Sequence, residues 1–270
     1  MQQLRRSALL PHVEMRRVTQ GSTCYDTHSH DEFSFGVVDT GHATYCNHRH
    51  QAAIHQGMAV FFNPGDAHAC NPRPGQPWSY RMLFVDTAWV TRLQAENAWH
   101  GGGDYTPFAL AHSDSARLYQ QFDALFHTLE HGDSTLAADE ALQGFLLTHC
   151  FGHPRQAQPA ALPTGALQRT RDCILDQLAD NLTLDDLAHT AGLSRYHLLR
   201  SFKQAYGQTP HAFQLDQRIN QGKQLLKRGG SLADVAHSLG FADQSHFQRH
   251  FKRRHAVTPR VYQQSLAFTA

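Results

Sequence analysis

One pattern occurs twice in the C-terminal part of the chain, and it limits the fold more than any other feature. Residues 184–210, LDDLAHTAGLSRYHLLRSFKQAYGQTP, align under residues 232–259, LADVAHSLGFADQSHFQRHFKRRHAVTP. Leu, Asp, Ala, His, Gly, Phe, Lys and Thr-Pro recur in register, with one extra residue in the second turn. A duplication of this kind requires each copy to form the same supersecondary unit and bury the same face. Each copy opens on a capping pair, Thr183 with Asp186 and Ser231 with Asp234, whose side chains can satisfy the orphan N–H groups of a first helical turn. Each then reaches a glycine, Gly192 or Gly240, that permits a left-handed turn into a second helix. The spacing predicts a helix-turn-helix, made twice.

The second helix of each copy sorts its residues by chemistry. Leu198 and Phe202, like Phe247 and Phe251, stand four apart and anchor an inner face. The opposite face offers Arg195, Tyr196, Leu199, Arg200 and Lys203 in the first copy, and Gln244, Ser245, Gln248, Arg249 and Lys252 in the second, with Arg253 and Arg254 beside them. These residue types suit a major groove: Arg pairs with guanine O6 and N7, Gln with adenine N6 and N7, and Lys neutralises phosphate. Pro210 starts a connecting helix that runs to about Arg228. At 1.5 Å per residue it spans roughly 28 Å, enough to set two reading helices about one DNA turn apart.

Charge points the same way. Residues 1–166 carry 10 Lys and Arg against 15 Asp and Glu, whereas residues 167–270 carry 14 against 8, so the basic part is the candidate for a polyanionic partner such as double-stranded DNA. The acidic part reads differently. From about residue 28 to 86, short alternating stretches such as EFSFGVV and WSYRMLFV, punctuated by Gly41, Asn47, Gly57 and Asn63-Pro64-Gly65-Asp66, predict strands of a small barrel or sandwich. Two helical patterns follow, near 114–130 and 134–151. Leu118, Phe122, Leu125, Phe126 and Leu129 form an apolar stripe on the first, to be covered either by the barrel itself or by a second subunit. GHPRQAQPAALPTG, with three prolines and two glycines, then breaks the chain. The expected division is an effector-binding and dimerisation domain over 1–151, a linker over 152–166 and a tandem helix-turn-helix domain over 167–270.

No apolar run approaches the roughly 18 residues that a membrane span needs, and MQQLRRSALLPHVEMRR has only a short apolar patch before Pro11. Cys24, Cys46, Cys70, Cys150 and Cys173 are widely spaced without a CxxC pair, which argues against a disulfide framework or a thiolate zinc site. These features predict a soluble, cytoplasmic protein with no membrane partner.

Over residues 167–265, and above all in LADVAHSLGFADQSHFQRHFKRRHAVTP followed by RVYQQ, the chain resembles the AraC-type transcription regulators. The resemblance implies two units reading adjacent major-groove segments, with Tyr196, Leu199, Arg200, Gln244, Ser245, Gln248 and Arg249 where the family meets bases. It further implies activation rather than repression, RNA polymerase as a partner, and dimerisation through the N-terminal domain. Gly222 departs from the family, which usually has Ala inside this connecting helix, at a cost of up to about 1 kcal/mol of local helix stability. THSHDEFSFGVVDTG and GMAVFFNPGDAH resemble the two halves of a cupin barrel motif. That likeness implies effector binding by His28, His30, Phe33, Phe35 and His68. It also offers His28, His30, Glu32 and His68 as metal-ligand candidates, although Glu32 stands closer to His30 than the cupin pattern places its carboxylate; the expectation is no bound metal and no cofactor.

The fold class expected is two-domain α+β: a cupin-like β-barrel with appended helices, then an all-α domain with two helix-turn-helix units joined by a long helix. The expected function is a sequence-specific DNA-binding transcription regulator controlled by a small-molecule effector, and not an enzyme. The alternative is a metal-dependent cupin enzyme, such as a dioxygenase or isomerase, carrying a helical interaction domain.

Overall fold

In the computed structural model, residues 2–47, 50–97, 104–151 and 164–267 are described. The N-terminal part runs β1 (Gln2–Arg6), β2 (Val13–Gly21), β3 (Phe33–Thr40), β4 (His42–Asn47), β5 (His50–His55), β6 (Ala59–Phe62), β7 (His68–Pro72), β8 (Trp78–Val85), α1 (Thr87–Glu96), β9 (His112–Ser113), α2 (Ala116–His131) and α3 (Thr135–His149). The strands form two antiparallel sheets, ordered β1-β2-β8-β3-β6-β9 and β5-β4-β7.

Alternation along the central strands divides the interior in two. Trp78, Tyr80, Met82 and Phe84 of β8 face the smaller sheet, where they meet Ala43, Tyr45 and Ile54. Leu83 and Val85 point the other way, as do Phe33, Phe35 and Val37 of β3, and on that side lie α2 and α3. The Phe35 ring stacks on Phe145 at 4.9 Å and meets Phe122 edge-on at 5.9 Å. The apolar stripe of α2 is therefore covered by its own sheet and by α3: Leu118, Phe122, Leu125, Phe126 and Leu129 are all buried within one chain. Of the two coverings left open by the sequence, the structure has the intramolecular one.

Two elements differ from the sequence reading. Ahead of the stretch from about residue 28 where strands were expected, residues 2–21 already form β1 and β2, paired from Gln2↔Val18 to Arg6↔Glu14. Helix α1 was not anticipated: it follows β8 after a single capping signal, Asp86, whose side chain accepts from the Trp89 N–H.

The C-terminal part is entirely helical: α4 (Gly165–Asp176), α5 (Leu184–Ala191), α6 (Arg195–Tyr206), α7 (Pro210–Lys227), α8 (Leu232–Ser238), α9 (Gln244–His255) and α10 (Pro259–Ala267). Most of the expected linker, 152–163, lies outside the described residues, and its last stretch is already helical because α4 begins at Gly165. Both helix-turn-helix units form as the repeat predicts. Thr183 and Asp186 make the reciprocal capping box, Ser231 accepts from the Asp234 N–H, and Gly192 and Gly240 take φ values of 66° and 71°. The anchors Leu198, Phe202, Phe247 and Phe251 are fully buried, the first pair in a core with α4 and α5, the second in a core with α7, α8 and α10.

Candidate functional site

The outer faces of α6 and α9 are free in this chain. Arg195, Tyr196, Arg200, Lys203, Gln244, Ser245, Arg249 and Lys252 are exposed, while Leu199 and Gln248 are half-buried. Tyr196 stands 74% exposed, a large aromatic side chain with no protein surface to cover it. Arg195 is tethered to the exposed Asp185 at 3.3 Å, a contact weak enough to yield to a phosphate. Arg254, grouped with this flank on the sequence, turns inward instead and brings its Nε to 3.3 Å from Asp216. The reason is helical period: positions 247, 251, 254 and 255 share one face of α9.

The second site is a cavity that opens to solvent, between the two sheets and the C-terminal helices. One part of its lining is apolar, with Val38, Val60, Phe62, Trp78, Met82 and Phe84. The other is polar: Arg16, Tyr25, His28, His30 and His68 come from the strand-rich part, and Lys223, His255 and Tyr262 from α7, α9 and α10. The three expected histidines are brought together, with ring centroids 4.6 Å apart for His28 and His68 and 4.8 Å for His30 and His68. The Nδ1 atoms of His28, His30 and His68 each lie 2.7–2.8 Å from a backbone carbonyl two residues away, which fixes the rings in place. Burial above all, then the neighbouring His68, holds His28 well below the ordinary imidazole value and His30 at about 3. His255 is held down in the same way, by burial and then Lys223.

Two groups of expected site residues are corrected by this geometry. Phe33 and Phe35 do not line the cavity, because the strand alternation turns them onto the core under α2 and α3. Glu32 does not join the imidazoles. Its carboxylate accepts from Lys223 Nζ at 3.0 and 3.1 Å and from Lys227 Nζ at 3.0 Å, and these two cations outweigh burial to hold it well below the usual carboxylate range. Among the described residues, no group of three or more His, Cys, Asp or Glu is disposed to hold a metal ion.

The same ion pairs fasten the strand-rich part to the connecting helix. Lys227 also pairs with Glu14 at 2.6 Å, and the Tyr262 hydroxyl donates to the Glu14 carboxylate at 3.2 Å. The buried Asp216 of α7 accepts from the Ser29 N–H at 2.8 Å and the Ser29 hydroxyl at 2.7 Å. Burial nonetheless pushes the Asp216 carboxyl up to about 6. Sequence reasoning missed Arg16, Lys223, His255 and Tyr262 as cavity residues. For Arg16 only an ambiguous signal existed, as one of three charged residues in VEMRRV. For the other three none did, since they reach the cavity only through the docking of one part on the other.

Comparison with known proteins fits both sites. Residues 12–146, half of the chain, match the AraC-like ligand binding domain, and residues 187–265 match a helix-turn-helix domain. The chain is 29% identical over 242 residues to the HTH-type transcriptional regulator YbfI of Bacillus subtilis strain 168, covering 87% of this chain and 86% of YbfI. It is 22% identical over 244 residues to the raffinose operon transcriptional regulatory protein RafR of Pediococcus pentosaceus, covering 87% and 86%. In fold it is similar to unsaturated fatty acid bound wild-type ToxT from Vibrio cholerae, with a TM-score of 0.56 and 15% identity over 94% of this chain and 95% of that one. No described helix is long and apolar enough to cross a membrane. A ligand-binding domain matched across half the chain, a DNA-binding tandem repeat behind it and full-length relatives that are regulators rather than enzymes together make this protein a member of the AraC family of transcription regulators.

Proposed function

We propose that this regulator is switched by a small organic effector that binds in the cavity between the sheets and changes how α7, α9 and α10 dock on the strand-rich part. One observation carries the reading: Lys223, His255 and Tyr262 of the DNA-binding helices form part of the cavity wall. An occupant that binds the docked and undocked arrangements unequally shifts the balance between them, and with it the freedom of the reading helices. His28, His30 and His68 contact the effector. Arg195, Tyr196, Leu199, Arg200 and Lys203 read one major-groove segment, and Gln244, Ser245, Gln248, Arg249 and Lys252 read the next. The working division is 1–151 for effector binding, 152–166 for the linker and 167–270 for DNA.

The regulator acts in the cytoplasm as an activator that contacts RNA polymerase. It binds as a homodimer through a surface other than the α2 stripe, which is already buried. Selection of bound fragments from random double-stranded DNA, with and without a metabolite library, tests the proposal. Enrichment of a two-segment site whose yield changes with a metabolite is the expected result. Unselective retention of all fragments would overturn it.

A further inference from the structure

We propose that the cavity takes a small monocarboxylate with an apolar body, and that Arg16 is its counter-ion. The inference rests on reading the cavity as the effector site and adds the chemical class of the occupant. The ionised side chains of the cavity lining, with Glu32 and Lys227 next to it, pair off, except one. Glu14 and Glu32 are matched by Lys227 and Lys223 at 2.6 to 3.1 Å. Arg16 is left over. It is 8% exposed, and its Nε has no hydrogen-bond partner. The acid that acts on it, Glu14, is already held by Lys227 and Tyr262.

Apart from Glu14, what surrounds the guanidinium is uncharged. The Phe84 ring lies under it at 5.2 Å, and the neutral Tyr80 hydroxyl is its side-chain hydrogen-bond partner. The imidazoles cannot answer its charge, because they are neutral, and Arg16 itself helps to keep His28 and His255 so. A second polar atom is also unanswered: His255 Nε2, on a side chain 5% exposed, has no partner and can donate in one of the two neutral tautomers. A cation buried without a counter-ion is costly, and an arriving anion removes that cost.

One residual positive charge calls for one negative charge, and the planar fork of a guanidinium matches the two oxygens of a carboxylate. A phosphate monoester brings a second charge that nothing here neutralises. A neutral sugar would leave hydroxyls unpaired against Val38, Val60, Phe62 and Met82. An acid held at Arg16 lies beside His255 of α9, so its arrival is transmitted to a reading helix.

The test is calorimetric titration of the full-length protein with sodium phenylacetate and sodium octanoate, with the matching amides, phenylacetamide and octanamide, and with raffinose. The expected result is that at least one acid binds and its amide binds about 30-fold more weakly, the size of a charge-assisted contact. Arg16→Met should lose acid binding by a similar factor while melting no lower than wild type without ligand, because it removes a lone buried charge. Equal affinity for acid and amide overturns the proposal, as does raffinose binding alone, or no binding of either acid at millimolar concentration. The acid-against-amide comparison needs no variant, so it decides the matter even if Arg16→Met does not fold. An acid that binds in the expected way but leaves DNA affinity unchanged supports the ligand class and removes the effector reading instead.

Discussion

Arg249 and Lys252 lie one helical turn apart on the exposed face of α9, yet their chemistry assigns them different tasks. Arg249→Ala should lower affinity for the selected site by about 1–3 kcal/mol and relax preference at one base position, measured by binding to a set of single-base variants. Lys252→Ala should instead weaken binding to all sequences and reduce the slope of log affinity against log salt by about one. An unchanged slope would remove Lys252 from the phosphate contacts. At the end of the same helix, Ala256 takes φ 56°, the left-handed conformation that its counterpart Gly207 takes at φ 74° after α6. A Cβ makes this conformation costly, so Ala256→Gly should raise unfolding stability by about 0.5–1 kcal/mol in denaturant titration. The duplicated pattern made both exposed faces legible in the sequence, since polar and apolar residues alternate with helical period. The inward turn of Arg254 was not legible, because its partner Asp216 belongs to a different helix.

Among the elements, α7 shows how packing overrides local preference. By propensity Gly222 is a weak point in an 18-residue helix. In the fold it is a contact surface: a Cβ there would come within 2.9 Å of the Phe247 ring and 3.3 Å of Leu239. Gly222→Ala would gain about 1 kcal/mol from helix propensity and lose roughly 1–3 kcal/mol to overpacking. The expected net result is a loss of about 1 kcal/mol, read from chemical denaturation, whereas a gain would mean that α9 can shift to make room. The strand signals from about residue 28, helices α2 and α3 and every helix of the repeat were legible as elements. The strands β1 and β2 were not: β1 pairs only with β2, and β2 gains its second partner from β8, some 60 residues later. The same dependence decided the fate of Phe33 and Phe35: period two places them on one face together but does not say which face meets helices and which meets the cavity.

For the whole molecule, the buried titratable groups at the contact between the two parts predict a response to acid. His28, His30 and His255 are neutral in the native state with values below the ordinary 6.5, His30 at about 3. Between those limits the unfolded chain binds protons that the native state refuses, so stability is full above about 6.5 and falls as pH drops. Asp216 acts in the opposite sense: with a native value of about 6 against an ordinary 3.8, it favours the native state as pH falls through that interval. Three groups oppose one. The melting temperature should therefore decrease from pH 7.5 to pH 5, and more steeply in Asp216→Asn, as scanning calorimetry can measure. What the sequence alone determined is the part of this protein that depends on neighbours close in the chain: capped helices, sorted helical faces, alternating strands and a charge division that marks which part meets DNA. The cavity belongs to the tertiary structure. Its wall joins Arg16 to Lys223, His255 and Tyr262, about 200 residues or more away along the chain. Whether a buried charge finds a partner is settled only when the two parts close on each other and exclude water.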